Sequence, residues 1–81
     1  MKTIIWSKDN CPCCTKAKHL LDLKGLSFEE RNLSSNEWSK EQLLEDMPTA
    51  KTVPQIWMHG KYVGGYTDLV QYYEDHNMWM H

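Results

Sequence analysis

The sequence predicts an α/β protein with the element order β-α-β-α-β-β-α, a four-stranded mixed sheet flanked by helices. Three observations lead there. The chain has 81 residues, room for one small domain spanning 1–81 and no more. Its first half alternates short β-prone runs with segments of helical period, the pattern of a parallel βαβ unit. Its second half holds two β-prone runs joined by a two-residue turn signal, which makes an antiparallel hairpin. A parallel unit followed by a hairpin gives a mixed sheet with helices on its faces.

The elements follow in order. Residues 2–7 contain Ile4, Ile5 and Trp6, a run suited to a buried strand. Ser7-Lys8-Asp9-Asn10 reads as a loop, with Asn10 as N-cap and Pro12 in the first helical turn. Helical spacing then continues to Lys24, with Cys14, Ala17, Leu20 and Leu21 on one arc and Lys18, His19 and Asp22 elsewhere. Gly25 is the expected stop. Residues 27–33 carry Phe28 and Leu33 among charges, a strand signal, and Ser34-Ser35-Asn36 makes a loop. A short helix is expected over 37–46, with Trp38, Leu43 and Leu44 inward, ended by Met47-Pro48-Thr49. Residues 55–58 form the next strand, His59-Gly60 the turn, and Lys61-Tyr62-Val63 the return strand, broken by Gly64-Gly65. A last helix is expected over 67–76 with Leu69, Val70 and Tyr73 inward. Tyr72-Tyr73 and Trp79 read as packing residues.

Composition narrows the function. Nine basic against eleven acidic residues leave a net charge of −2, which gives nucleic-acid binding no electrostatic support. No apolar run reaches the roughly 18 residues that span a bilayer, and the first residues turn polar too soon for a signal peptide. A cytoplasmic monomer with no membrane association is the expectation.

The three cysteines, Cys11, Cys13 and Cys14, are packed into four positions. A disulfide scaffold would spread them along the chain, so this cluster is a local chemical feature. A CxxC after a first strand, at a helix start, is a redox signature. Cys11 and Cys14 lie about 60° apart on the helical wheel and can meet; Cys11 and Cys13 lie about 200° apart and cannot. A bond between adjacent Cys13 and Cys14 would be strained. Partial positive charge at the helix start, with Lys8 three residues upstream, favours a thiolate at Cys11. Cys11 is then the nucleophile and Cys14 the resolving thiol. Structural zinc needs a fourth ligand, and His19 points about 140° away from Cys14 on the wheel, so no metal is expected. A copper-carrying CxxC belongs to a different element order, and three cysteines this close are poorly explained as inert packing.

With these residues in place, the chain resembles the glutaredoxin family of the thioredoxin-like fold. The likeness runs from Thr3 to about Glu74 and rests on Cys11-Pro12-Cys13-Cys14, Thr52-Val53-Pro54-Gln55-Ile56 and Gly64-Gly65-Tyr66-Thr67-Asp68-Leu69, in that order. Its small size is similar to bacterial and phage members. The resemblance implies that Thr52-Val53-Pro54 is a cis-proline segment whose backbone at Val53 pairs with the cysteinyl part of glutathione; a proline that merely opens a strand is the alternative. It implies that amides at Gly65, Tyr66, Thr67 and Asp68 donate to the γ-glutamyl carboxylate while Asp68 pairs with the α-amino group; a glycine turn capped by Thr67 or Asp68 is compatible with that. Lys8 carries over as thiolate stabiliser and contact to the glycyl carboxylate, ahead of Lys40 and Lys51. Cys13 departs from the large residue common in the family and opens one wall of the glutathione groove.

The function so implied is a glutathione-dependent thiol–disulfide oxidoreductase, with glutathione as co-substrate. Its partners would be disulfide-containing or glutathionylated proteins, ribonucleotide reductase among them. Two alternatives stand beside it. A redoxin of the same fold served by thioredoxin reductase would lack the Gly-Gly-x-x-Asp element found at 64–68. An iron–sulfur carrier, sharing a cluster between two chains through Cys11 and glutathione, mostly lacks a proline in the position of Pro12.

Overall fold

A computed structural model of the protein describes residues 2–75. The elements are β1 (Ile4–Ser7), α1 (Pro12–Leu23), β2 (Glu29–Asn32), α2 (Lys40–Asp46), β3 (Gln55–Met58), β4 (Lys61–Gly64) and α3 (Tyr66–Asp75). The four strands form one sheet in the order β2-β1-β3-β4. β1 runs parallel to β2, and β3 is antiparallel to both β1 and β4. The expected order and mixed sheet are therefore present.

Strand alternation sends successive side chains to opposite faces. Ile5, Ile56 and Met58 join Ala17, Leu20 and Leu21 of α1 and Leu69 and Tyr73 of α3 in the main core. Val70 and Tyr72 pack against that core half-buried, and the Tyr72 and Tyr73 rings meet edge-on at 5.5 Å. His76 and Trp79 lie outside the described residues. On the other face Trp6, 1% exposed, meets Trp38 edge-on at 5.5 Å. The Arg31 guanidinium lies over both indoles, 5.1 and 4.5 Å from their centroids, and bonds to Glu29 and to Asp46 of α2. That cation–aromatic stack ties α2 to the sheet.

Several boundaries differ from the sequence expectation. Ser39, not a residue near Glu37, starts the second helix: its hydroxyl accepts from the Gln42 amide while the Gln42 side chain accepts from the Ser39 amide. This capping box leaves Trp38 in the preceding loop. Leu43 is buried and Leu44 only half-buried. α1 stops at Leu23, with Lys24 as cap and Gly25 at φ 73°, the left-handed turn-off that glycine adopts without penalty. β1 and β2 are shorter than the expected spans, 2–7 and 27–33. His59 and Gly60 both have positive φ, 51° and 84°, the backbone of a type I′ hairpin turn. Gly64 does not break the return strand but closes it, pairing with Ile56. Because Trp57 pairs with Tyr62, Val63 is the extra residue of a bulge. The last helix starts one residue early, at Tyr66.

Candidate active site

The site lies where β1 ends, β3 begins and the helices α1 and α3 start. The loop after β1 is held against the end of β2: the Asp9 amide donates to Ser34 Oγ at 3.0 Å, and Asn32 Nδ2 donates to Asp9 Oδ1 at 3.1 Å. Below it, buried Ser7 Oγ donates to Glu30 Oε2 at 2.6 Å, and Lys18 of α1 bonds the same oxygen at 2.8 Å. Burial pushes the Glu30 carboxyl up, but the Lys18 and Ser7 bonds outweigh it and hold it below the ordinary carboxylate value. β1, β2 and α1 are thus cross-tied directly beneath the cysteine segment.

Asn10 does not cap α1. It takes a left-handed conformation at φ 56°, and Cys11 is the N-cap, extended, with Pro12 as the first helical residue. Cys11 Sγ accepts from the Cys14 amide at 3.2 Å. The first turn carries no acidic side chain, so no carboxylate within it offsets the positive end of this helix at the sulfur. Cys11 is 9% exposed and Cys14 1%. The two are joined as a disulfide, with Cα atoms 5.2 Å apart. Cys13 is free and exposed.

Facing Cys11 is the turn before β3. Its Val53–Pro54 bond is cis, and the Val53 carbonyl oxygen lies 3.8 Å from Cys11 Sγ. The Gln55 side chain folds back and donates from Nε2 to the Thr52 carbonyl at 2.8 Å, and the Tyr62 hydroxyl donates to Gln55 Oε1. Burial, with the nearby Asp68 charge, pushes the Tyr62 phenol above its ordinary value.

The third wall is the start of α3. Neither Thr67 nor Asp68 is its N-cap. Gly65 holds that place, its carbonyl accepting from the Leu69 amide at 3.0 Å, and Asp68 Oδ2 reaches back to the Gly65 amide at 2.9 Å. Gly64, at φ 122°, lies so close under that carboxylate that a Cβ would collide with it. The amides of Tyr66, Thr67 and Asp68 precede the first intrahelical bond and remain at the groove.

These walls enclose a groove of about 420 Å³ lined by Cys13, Thr52, Val53, Pro54, Gln55, Tyr62, Gly65, Tyr66, Thr67 and Asp68. All the expected glutathione residues except Lys8 are in it. Lys8 instead borders an adjoining depression of about 180 Å³ with Lys40 and Lys51, on the far side of the shared Thr52 and Val53. Gln55 and Tyr62 are the site residues that sequence reasoning did not select. Gln55 stood inside a recognised motif, but nothing local in the sequence pairs it with Tyr62. Among the described residues no helix is long and apolar enough to cross a membrane.

A disulfide beside a helix start, a backbone segment facing its outer sulfur, and an adjoining groove with free amides form a thiol-exchange site. Comparison with known proteins agrees. The glutaredoxin family model matches residues 3–63. Glutaredoxin 3 of Escherichia coli (strain K12) is 38% identical over 65 residues, 80% of this chain and 77% of the relative. Glutaredoxin-C8 of Oryza sativa subsp. japonica is 39% identical over 75 residues, 88% of this chain, and the chain spans 55% of that relative's length. Among solved structures, a buckwheat glutaredoxin–glutathione complex is similar with a TM-score of 0.78 at 25% identity, covering 90% of this chain and 68% of that one.

Proposed function

The chain belongs to the glutaredoxin family and is a thiol–disulfide oxidoreductase with a Cys11–Cys14 pair, and from that premise we propose that glutathione is its reductant. The observation that carries this reading is the groove of about 420 Å³ beside the disulfide, which offers a small peptide the backbone at Val53, the amides at the start of α3 and the exposed Asp68 carboxylate. The Val53 backbone pairs with the cysteinyl unit. The amides of Tyr66, Thr67 and Asp68 take the γ-glutamyl carboxylate, and the second oxygen of Asp68 takes the α-ammonium. Lys8, from the adjoining depression, meets the glycyl carboxylate.

In deglutathionylation, the Cys11 thiolate attacks the glutathione sulfur of a protein mixed disulfide. The sulfur–sulfur bond breaks, the protein leaves as thiolate, and Cys11 carries the glutathione. A second glutathione thiolate attacks that glutathione sulfur, releases oxidised glutathione and restores the Cys11 thiolate. With a protein disulfide, Cys11 forms a mixed disulfide with the target. Cys14 then attacks Cys11 Sγ, expelling the reduced target and closing the Cys11–Cys14 bond, which two glutathiones reopen. Disulfide-bearing proteins of the cytoplasm, including ribonucleotide reductase, are the proposed recipients, and the protein works as a monomer.

The test is NADPH-linked turnover of a glutathionylated substrate with glutathione and glutathione reductase, set beside the same protein with thioredoxin reductase. Activity with the glutathione system is expected. Turnover with thioredoxin reductase alone would replace this reading with the redoxin alternative.

A further inference from the structure

We infer that Tyr62 is a positioning residue of this groove: acting through Gln55, it fixes the Thr52 carbonyl and with it the backbone that faces Cys11. The inference rests on the glutathione reading only for the identity of the ligand. Gln55, Trp57 and Tyr62 project on one face of the β3–β4 hairpin, with Trp57 and Tyr62 directly paired. The Trp57 ring meets the Tyr62 ring edge-on at 4.9 Å. Tyr62 is 46% exposed and borders the groove, yet its hydroxyl reaches the buried Gln55 amide.

The chemistry of that amide makes the link directional. The Thr52 carbonyl can only accept, so Gln55 must turn its NH2 toward it, at 2.8 Å. Oε1 then faces the opposite way, where only a donor suits it, and the Tyr62 hydroxyl is that donor. Without the hydroxyl a buried acceptor is left unpaired, which is costly, and rotation of the amide toward the groove relieves it. That rotation withdraws the NH2 from Thr52. The Thr52–Pro54 turn, 3.8 Å from Cys11 Sγ through the Val53 carbonyl, loses its side-chain brace.

Three measurements test this. Tyr62→Phe keeps the ring against Trp57 and removes only the hydroxyl; KM for a glutathionylated peptide should rise about fivefold, the worth of one net hydrogen bond, with kcat within about twofold because the Cys11 cap is untouched. In a Gln55→Met background the added Tyr62→Phe change should have no further effect on KM, since the link is already cut. Fully additive losses would overturn the inference, making Tyr62 a plain groove wall. In the ligand-free protein, the carbonyl carbon resonance of Thr52 should shift in Tyr62→Phe, because the Gln55 amide no longer donates to that oxygen. An unchanged Thr52 carbonyl resonance would overturn the positioning role whatever reductant the protein uses, so a failure of the glutathione reading and a failure of this one are told apart.

Discussion

Two helices begin on the rim of the same groove, and they treat their unpaired amides differently. At the start of α1 the capping acceptor is Cys11 Sγ, 3.2 Å from the Cys14 amide, which is also the atom that reacts. At the start of α3 the acceptor is Asp68 Oδ2, 2.9 Å from the Gly65 amide, a group with no chemistry to perform. A neutral thiol is a weak acceptor and a thiolate a strong one, so capping of α1 and acidity of Cys11 reinforce each other. Asp68 has no redox-active atom; it bonds the Gly65 amide, and on the proposed reading the next amides and its second oxygen serve a ligand. The same backbone device serves reaction at one corner and, on the proposed reading, recognition at the other.

The largest expected effect separates capping from chemistry at α1. Serine is among the best N-cap residues. Cys11→Ser should therefore keep the helix start, with an unfolding midpoint at or above that of the reduced wild type, while thiol transfer disappears. Residual turnover would mean that a second thiol reaches the substrate. Next in size, Cys14→Ser should retain deglutathionylation and lose most protein-disulfide reduction, because only the second reaction needs a resolving thiol. Equal loss of both activities would remove the division of labour between the two sulfurs.

At the recognition corner the two jobs of Asp68 can be split. Asp68→Asn keeps an acceptor for the Gly65 amide but drops the charge; Asp68→Ala drops both. Loss of a charge-assisted contact at this exposed position is worth about 1–2 kcal/mol, so both variants should raise KM for glutathione roughly tenfold. Only Asp68→Ala should also lower stability, by about 1 kcal/mol as for a lost cap. An unchanged KM with reduced stability would make Asp68 a cap alone.

The contrast between these corners was only partly legible in the sequence. β3 and the His59-Gly60 turn were read at their observed positions, because a tight apolar run and a two-residue turn leave few other solutions. The buried arc of α1 followed from spacing for the same reason. Trp38 sits near helical spacing yet precedes the helix, because Ser39 and Gln42, three apart, form the capping box that marks its start. The caps of α1 and α3 were misassigned since both depend on which side chain bends back over the first turn, a tertiary choice. The Tyr62–Gln55–Thr52 link was invisible, as it depends on hairpin register and the bulge at Val63 shifts that register by one residue.

The smallest expected effect concerns Cys13, which lies between the two corners. It is exposed and lines the groove with Tyr66 and Thr67, whereas Cys11 Sγ looks toward Val53. It sits in the first turn of α1, where the helix directs it away from the sulfur of its N-cap neighbour, and a bond to adjacent Cys14 would be strained. Cys13 is therefore expected to be redox-silent in turnover and to act as a small rim residue. Cys13→Ser should keep both activities within about twofold, as for an exposed substitution. Cys13→Tyr should lower KM for glutathione by giving the groove a wall against the Tyr66 side. The opposing idea is that fraying of the first turn lets Cys13 stand in for Cys14, which would blur the line between the reacting and recognising corners. Oxidised Cys14→Ser protein, digested and analysed by mass spectrometry, separates the two. Cys13 should appear as free thiol. An abundant Cys11–Cys13 linkage would show that the start of α1 opens far enough to bring the rim into the chemistry, and the silent assignment would fall.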